Sequence, residues 1–138
     1  MRVLVAIDGS ESSEAAVRVL TRQMRPDTTE VYVLHVVEPA FTMSDAALAE
    51  IERRSGQIVG DAATLLRDKG FKVTTGVEDG DARSRIIDVA DAWKAELIVV
   101  ASHGRKGLDR FLMGSVSEAV ARHAHCSVQI VRSQPESA

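Results

Sequence analysis

The chain has 138 residues, 45% of them apolar and 27% charged, with 17 basic against 20 acidic side chains and a net charge of −3. That length suits one domain with a real core, the composition argues against disorder, and the mild acidity supplies no general electrostatic reason to bind nucleic acid. The single cysteine excludes a disulfide framework and an all-cysteine metal cage, and no apolar run approaches the roughly 20 residues of a membrane span.

Val3–Ile7 is a short β-branched and aliphatic run, which predicts a strand buried on both faces. Asp8-Gly9-Ser10 breaks it, and Ser10 or Ser12 can cap a helix with an apolar stripe of Ala15, Ala16, Val19 and Leu20, closed by Pro26-Asp27. Val31–Val37 is a second buried strand, followed by an aperiodic loop from Pro39 to about Asp45. A long helix then carries Leu48, Ile51, Ile58, Ala62 and Leu65, weakened at Gly56 and Gly60 and stopped at Gly70. Phe71–Val77 alternates apolar and polar, as an edge or half-covered strand does. Gly80-Asp81 turns into a helix with Ile86, Val89, Ala90 and Trp93, and Leu97–Ala101 is the most apolar strand. After a glycine-containing segment, Ser102–Gly114, come a last helix (Ser115–His123), a last strand (Val128–Arg132) and a polar tail.

Five strands alternating with four helices predict an α/β fold: a single doubly wound domain over residues 1–132, with a parallel sheet, helices on both faces and a flexible tail over 133–138. Aromatics make up only 4%, so Val, Ile, Leu and Ala must build its core. Ligands of such sheets bind beyond the carboxyl ends of the strands, where strand order reverses. The residues there are Asp8, His35–Val37 and Ala101–Gly104. The direct entry into a strand, without a signal-peptide layout, makes a cytoplasmic location the expectation.

Neither a Gly-x-Gly-x-x-Gly fingerprint nor a Gly-Lys-Ser/Thr loop occurs, which argues against nicotinamide, flavin and Walker-type sites. Asp8 has two readings: a carboxylate for a metal or ribose hydroxyl, or a turn residue bonding its own backbone. The segment after the fourth strand says more. Gly104 lets backbone pass close to a ligand, and Gly114-Ser115 precede a helix whose N–H groups and dipole favour an anion. Arg105, Lys106 and Arg110 against Asp109 leave two positive charges in excess. Ser115 is alternatively an N-cap, with Glu118 completing a capping box.

With these motifs the chain resembles the universal stress proteins, over about Arg2 to Arg132. The resemblance lies in Ala6-Ile7-Asp8-Gly9-Ser10, in Leu34-His35-Val36 and in Gly104 with Gly114-Ser115-Val116-Ser117-Glu118. The nucleotide-binding branch of that family has the pattern Gly-x2-Gly-x9-Gly-Ser/Thr, matched here by Gly104, Gly114 and Ser115, with Ala101 where the first glycine stands. The resemblance implies ATP with Mg²⁺ or Mn²⁺, held by Ala6, Asp8, Val36, Ala101, His103, Gly104, Arg105, Gly114, Ser115 and Val116. Asp8 would sit by ribose or metal and the Val36 backbone by the adenine edge. Ala101, His103 and Gly104 would flank the ribose and α-phosphate, and Gly114 to Val116 would hold the outer phosphates. A homodimer through the last strand, at Val128 and Ile130, is also implied; the net charge and the lack of a long apolar run lead to the expectation of no nucleic acid and no membrane partner.

Other polar residues have structural readings. His35 in a buried strand is a satisfied core histidine; His123 and His125 can bond terminal helix carbonyls; Cys126 is a small buried residue; and Trp93 packs. No nucleophile–base pair or paired carboxylates stand out, so the first reading is a nucleotide-binding signalling module. The alternatives are a slow ATPase or self-phosphorylating enzyme using His103 or Asp8, and an interaction protein that keeps the fold and binds no nucleotide.

Overall fold

The computed structural model describes residues 1–38, 43–103 and 114–132. The strands are β1 (Arg2–Ala6), β2 (Glu30–Val37), β3 (Lys72–Asp79), β4 (Leu97–Ala101) and β5 (Ser127–Val131). Between them lie α1 (Glu11–Gln23), a short 3-10 turn (Pro26–Thr28), α2 (Asp45–Asp68), α3 (Ala82–Trp93) and α4 (Ser115–His123). Every strand pair is parallel and the order is β3-β2-β1-β4-β5, so strand order reverses between β1 and β4.

The alternation of side chains in buried strands explains the two layers. Val3, Val5, Val31, Val33 and Val99 face α1 and α2, where Leu20, Val59 and Leu66 cover them. Leu4, Leu34, Ile98 and Val100 face α3 and α4, under Ile86, Val89, Ala90 and Val120. Leu4, Leu20, Leu34, Leu66 and Ile98 are essentially inaccessible, and each such side chain contributes roughly 1.5–3 kcal/mol on leaving water. Trp93 packs as expected, edge to face on Tyr32 at 5.4 Å between centroids.

Several local expectations change. In α1 the buried stripe is Ser13, Ala16, Val17 and Leu20, with Ala15 and Val19 on its margin. In α2 it is Ser55, Val59, Ala63 and Leu66, one position on from Ile58, Ala62 and Leu65, while Leu48 stays exposed. Val19, Ile58, Ala62 and Leu65 are partly buried and pack against the same core. Gly56 and Gly60 do not interrupt α2. β3 lies at an edge of the sheet, as expected, but its alternation does not sort its faces: Val73 is partly buried while Val77 is 42% exposed.

Candidate functional site

Three strands end together at the point of reversal. From the rungs Ala6↔Leu34 and Val5↔Val99, two and three residues further on, Asp8 comes level with Val36 and Ser102. Ala101 ends β4 opposite Val131 of β5. Its backbone is not left-handed, Lys94 being the sole such non-glycine residue described, so no glycine is needed there on conformational grounds.

The turn after β1 is built from short polar side chains. Asp8 Oδ1 accepts the Ser10 N–H at 3.0 Å, the turn reading of this residue. Ser10 caps α1 by accepting the Ser13 N–H at 3.2 Å, and Ser13 Oγ donates to the Ser10 carbonyl at 3.0 Å. The Asp8 N–H points to Ser13 Oγ at 3.3 Å. Gly9 is left-handed at φ +82°, a conformation that calls for glycine, and a Cβ there would press on the movable end of the Ile58 side chain, 2.9 Å from Cδ1.

α4 is fastened to the end of β4. The Ser102 carbonyl accepts the Gly114 N–H at 2.7 Å and the Ser117 hydroxyl at 3.0 Å, and Ser117 Oγ also reaches the Gly114 carbonyl at 3.0 Å. This approach explains Gly114: a Cβ would stand 3.0 Å from the Ser102 carbonyl oxygen. The N-cap is therefore Gly114, with no side-chain cap, and not Ser115. Nor does a capping box form, because Glu118 pairs with Arg122 one turn on, at 3.1 Å. Ser115 is thereby left exposed on the first turn. The helix ladder begins with Glu118 N–H on the Gly114 carbonyl, so the N–H groups of Ser115, Val116 and Ser117 precede it.

Ala6, Val36 and Val116 are partly buried on the α3/α4 side and give this end of the sheet an apolar floor. His103 is half-buried, its Nδ1 at 3.1 Å from Ser102 Oγ. Ser102 itself is buried, so that hydroxyl secures the strand end and faces no substrate. Gly104, Arg105 and the rest of the positive segment lie outside the described residues. Among those that are described, no three His, Cys, Asp or Glu side chains converge on a metal position. A cleft of about 360 Å³ between α1 and α2 lies on the opposite face and shares Ile7, Gly9 and Ser13 with the turn after β1.

The remaining candidates have structural partners. His35 is buried with Nδ1 at 2.8 Å from the Ile7 carbonyl, a core histidine as its strand position predicts. His125 meets Asp91 of α3 at 2.8 Å instead of a helix carbonyl. Burial, then the Asp91 charge, pushes the half-buried Cys126 thiol up, away from the reactive thiolate. The fastening roles of Ser13, Ser102 and Ser117 escaped sequence reasoning. A serine shows no periodicity, and its partner here is a backbone group whose place depends on the fold.

The sequence pattern of the universal stress protein family matches residues 1–132. A universal stress protein of Methanocaldococcus jannaschii, MJ0531, is 29% identical, over 95% of this chain and 81% of its own. The universal stress protein YxiE of Bacillus subtilis is also 29% identical, over 95% and 98%. Among solved structures, the protein MJ0577 superposes with a TM-score of 0.88 at 24% identity, over 96% of each chain. A universal stress protein in complex with cAMP superposes at 0.75 and 24%, over 95% and 96%. One from Archaeoglobus fulgidus in complex with dAMP gives 0.71 and 24%, over 94% and 96%. One from Arabidopsis thaliana with AMP bound gives 0.75 and 18%, over 97% and 92%. With a family pattern spanning nearly its whole length, this chain belongs to the universal stress protein family.

Proposed function

We propose that the protein is an ATP-binding signalling module of the cytoplasm, holding the nucleotide across the carboxyl ends of β1, β2 and β4. The observation that carries this reading is the fastening of α4 to the Ser102 carbonyl. It sets three N–H groups without helix partners, those of Ser115, Val116 and Ser117, at the strand-order reversal, where phosphate oxygens find both donors and the positive end of a helix. Gly114 serves this arrangement as its anchor, since its own N–H is already given to Ser102. The exposed Ser115 hydroxyl adds a further donor, and Ala6, Val36 and Val116 offer a base an apolar surface. Related folds hold adenine nucleotides, namely cAMP, dAMP and AMP, in agreement with this assignment.

A divalent ion fits as a companion of the phosphates, because Mg²⁺ commonly takes one or two carboxylates together with substrate phosphates. Asp8 would be its carboxylate here, and the ion would neutralise phosphate charge. His103, Gly104 and Arg105 complete the proposed set. Isothermal calorimetry with ATP and Mg²⁺, together with mass spectrometry of nucleotide retained by the natively purified protein, tests the reading. Heat of binding with retained adenine nucleotide is the expected result; neither, at millimolar ATP, would overturn it.

The proposal extends to a homodimer through β5. That strand lies at an edge of the sheet with Val128 and Ile130 only partly buried, and an open apolar edge favours pairing. Sedimentation should give a dimer for the native chain and a monomer for Ile130→Lys; a native monomer at micromolar concentration would refute it.

A further inference from the structure

The ladder between β1 and β2 breaks at an unusual point. Its last rung is the Ile7 N–H on the Leu34 carbonyl, at 2.9 Å. A parallel ladder would continue with the Val36 N–H on the Ile7 carbonyl. Val36 is on the correct side for it, because the next carbonyl, Val37, turns to β3 and accepts the Gly80 N–H. Yet Ile7 lies outside the paired strand, and the Val36 N–H has no acceptor among the described residues. The Ile7 carbonyl is taken instead by His35, whose Nδ1 lies 2.8 Å away. A carbonyl only accepts, so Nδ1 carries the proton and the tautomer follows.

We infer that His35 is a positioning residue: by taking the Ile7 carbonyl, it keeps the Val36 N–H out of the sheet and available to a ligand. The same peptide is gripped from its other side, since the Asp8 N–H points to Ser13 Oγ at 3.3 Å. With both polar groups of the Ile7–Asp8 peptide engaged by side chains, the β1–β2 ladder ends at Ile7, and the acceptor of the next rung is left for a ligand edge to supply. Val36 is half-buried, so water meets its N–H until a ligand supplies the acceptor. The ligand in this role is the adenine base of the nucleotide proposed above, an identification that stands on that reading.

Two measurements separate this role from mere core packing. The first is hydrogen exchange at the Val36 amide by NMR. In the native protein without ligand it should exchange faster than the Leu34 amide, and in His35→Phe it should become protected as the ladder closes onto Ile7. Unchanged exchange in a folded His35→Phe would overturn the inference, whatever the protein binds. The second is the affinity for ATP beside that for inorganic tripolyphosphate, both with Mg²⁺. His35→Phe should lose about tenfold for ATP, the worth of roughly one hydrogen bond, and keep its affinity for tripolyphosphate. His35→Gln, which retains a donor, should recover most of the loss. Equal losses for both ligands, or no loss for either, would refute a positioning role at the base. A native protein that binds neither ligand would overturn the nucleotide reading and the base assignment with it, while the exchange measurement would still decide what His35 does to the ladder.

Discussion

The two ends of this sheet are made from the same five strands and treat their backbone in opposite ways. At the amino end polar groups are closed off within the protein. Glu30 N–H meets the Met1 carbonyl, Glu96 N–H meets the Arg2 carbonyl, and the Arg2 guanidinium donates to the Trp93 carbonyl at 2.7 Å while lying 5.2 Å over its ring. Glu30 is flanked by Arg2 and Lys72. At the carboxyl end, the side chains of Asp8, Ser13 and His35 bond the backbone, and the N–H groups of Val36 and of the first turn of α4 have no backbone acceptor among the described residues. The difference follows from topology: at the amino end short connections tie neighbours together, whereas at the carboxyl end the chains of β1 and β4 leave on opposite faces and must part.

The largest expected effect breaks the carboxyl end alone. Gly114→Asp places a Cβ 3.0 Å from the Ser102 carbonyl oxygen and a negative charge beside the first turn of α4. Calorimetry should find ATP affinity reduced by roughly a hundredfold or more, the worth of one or two charge-assisted hydrogen bonds, with circular dichroism still showing a folded domain. Arg2→Ala is the converse experiment. It should cost roughly 1–2 kcal/mol in urea unfolding, through the lost carbonyl bond and ring contact, and leave ATP affinity unchanged because the site is at the other end.

A gain is expected at the amino end. Lys94 terminates α3 with φ +62°, a left-handed conformation that glycine adopts without strain. Lys94→Gly should stabilise the fold by about 0.5–1 kcal/mol, visible as a higher melting temperature, again without effect on binding. The smallest effect lies at the carboxyl end but outside the site. The Asp81 carboxylate, the N-cap of α3, is held below its ordinary value of 3.8 by the Arg83 side chain first and the Arg83 N–H second. A carboxyl lowered in the folded state stabilises above the unfolded value and loses that contribution as pH falls through the folded one. Acid titration should therefore show α3 loosening below about pH 4, with a shallower slope in Asp81→Asn, which keeps the cap and removes the proton. Equal slopes would show that Asp81 has no such part.

Particular elements explain how far the sequence could be read. Val3–Ile7 and Leu97–Ala101 are legible as central strands because a strand covered on both faces must be apolar throughout, and Phe71–Val77 as an edge because polar residues interrupt its apolar run. In α2 the expected Ile58, Ala62 and Leu65 do pack against the core, but the fully buried line is Ser55, Val59, Ala63 and Leu66, because periodicity locates an apolar arc and cannot say which part of it faces the sheet. Ser115 was weighed as an N-cap because its residue type suits one; the close approach of Gly114 to Ser102 moved the cap back by one residue.

The sequence by itself determined the alternation of strands and helices, the parallel sheet and the glycine-marked segment before α4, since these follow from local hydrophobic period and turn chemistry. Only the tertiary structure decided which helices share a face, that Asp8, Val36 and Ser102 come level, and that the Ser102 carbonyl anchors α4 while the His35 ring meets the Ile7 carbonyl. The physical reason is range. Periodicity and turn preference act over a few residues, whereas the bonds that shape this site join positions 15 and 28 residues apart and exist only once the strands are in register.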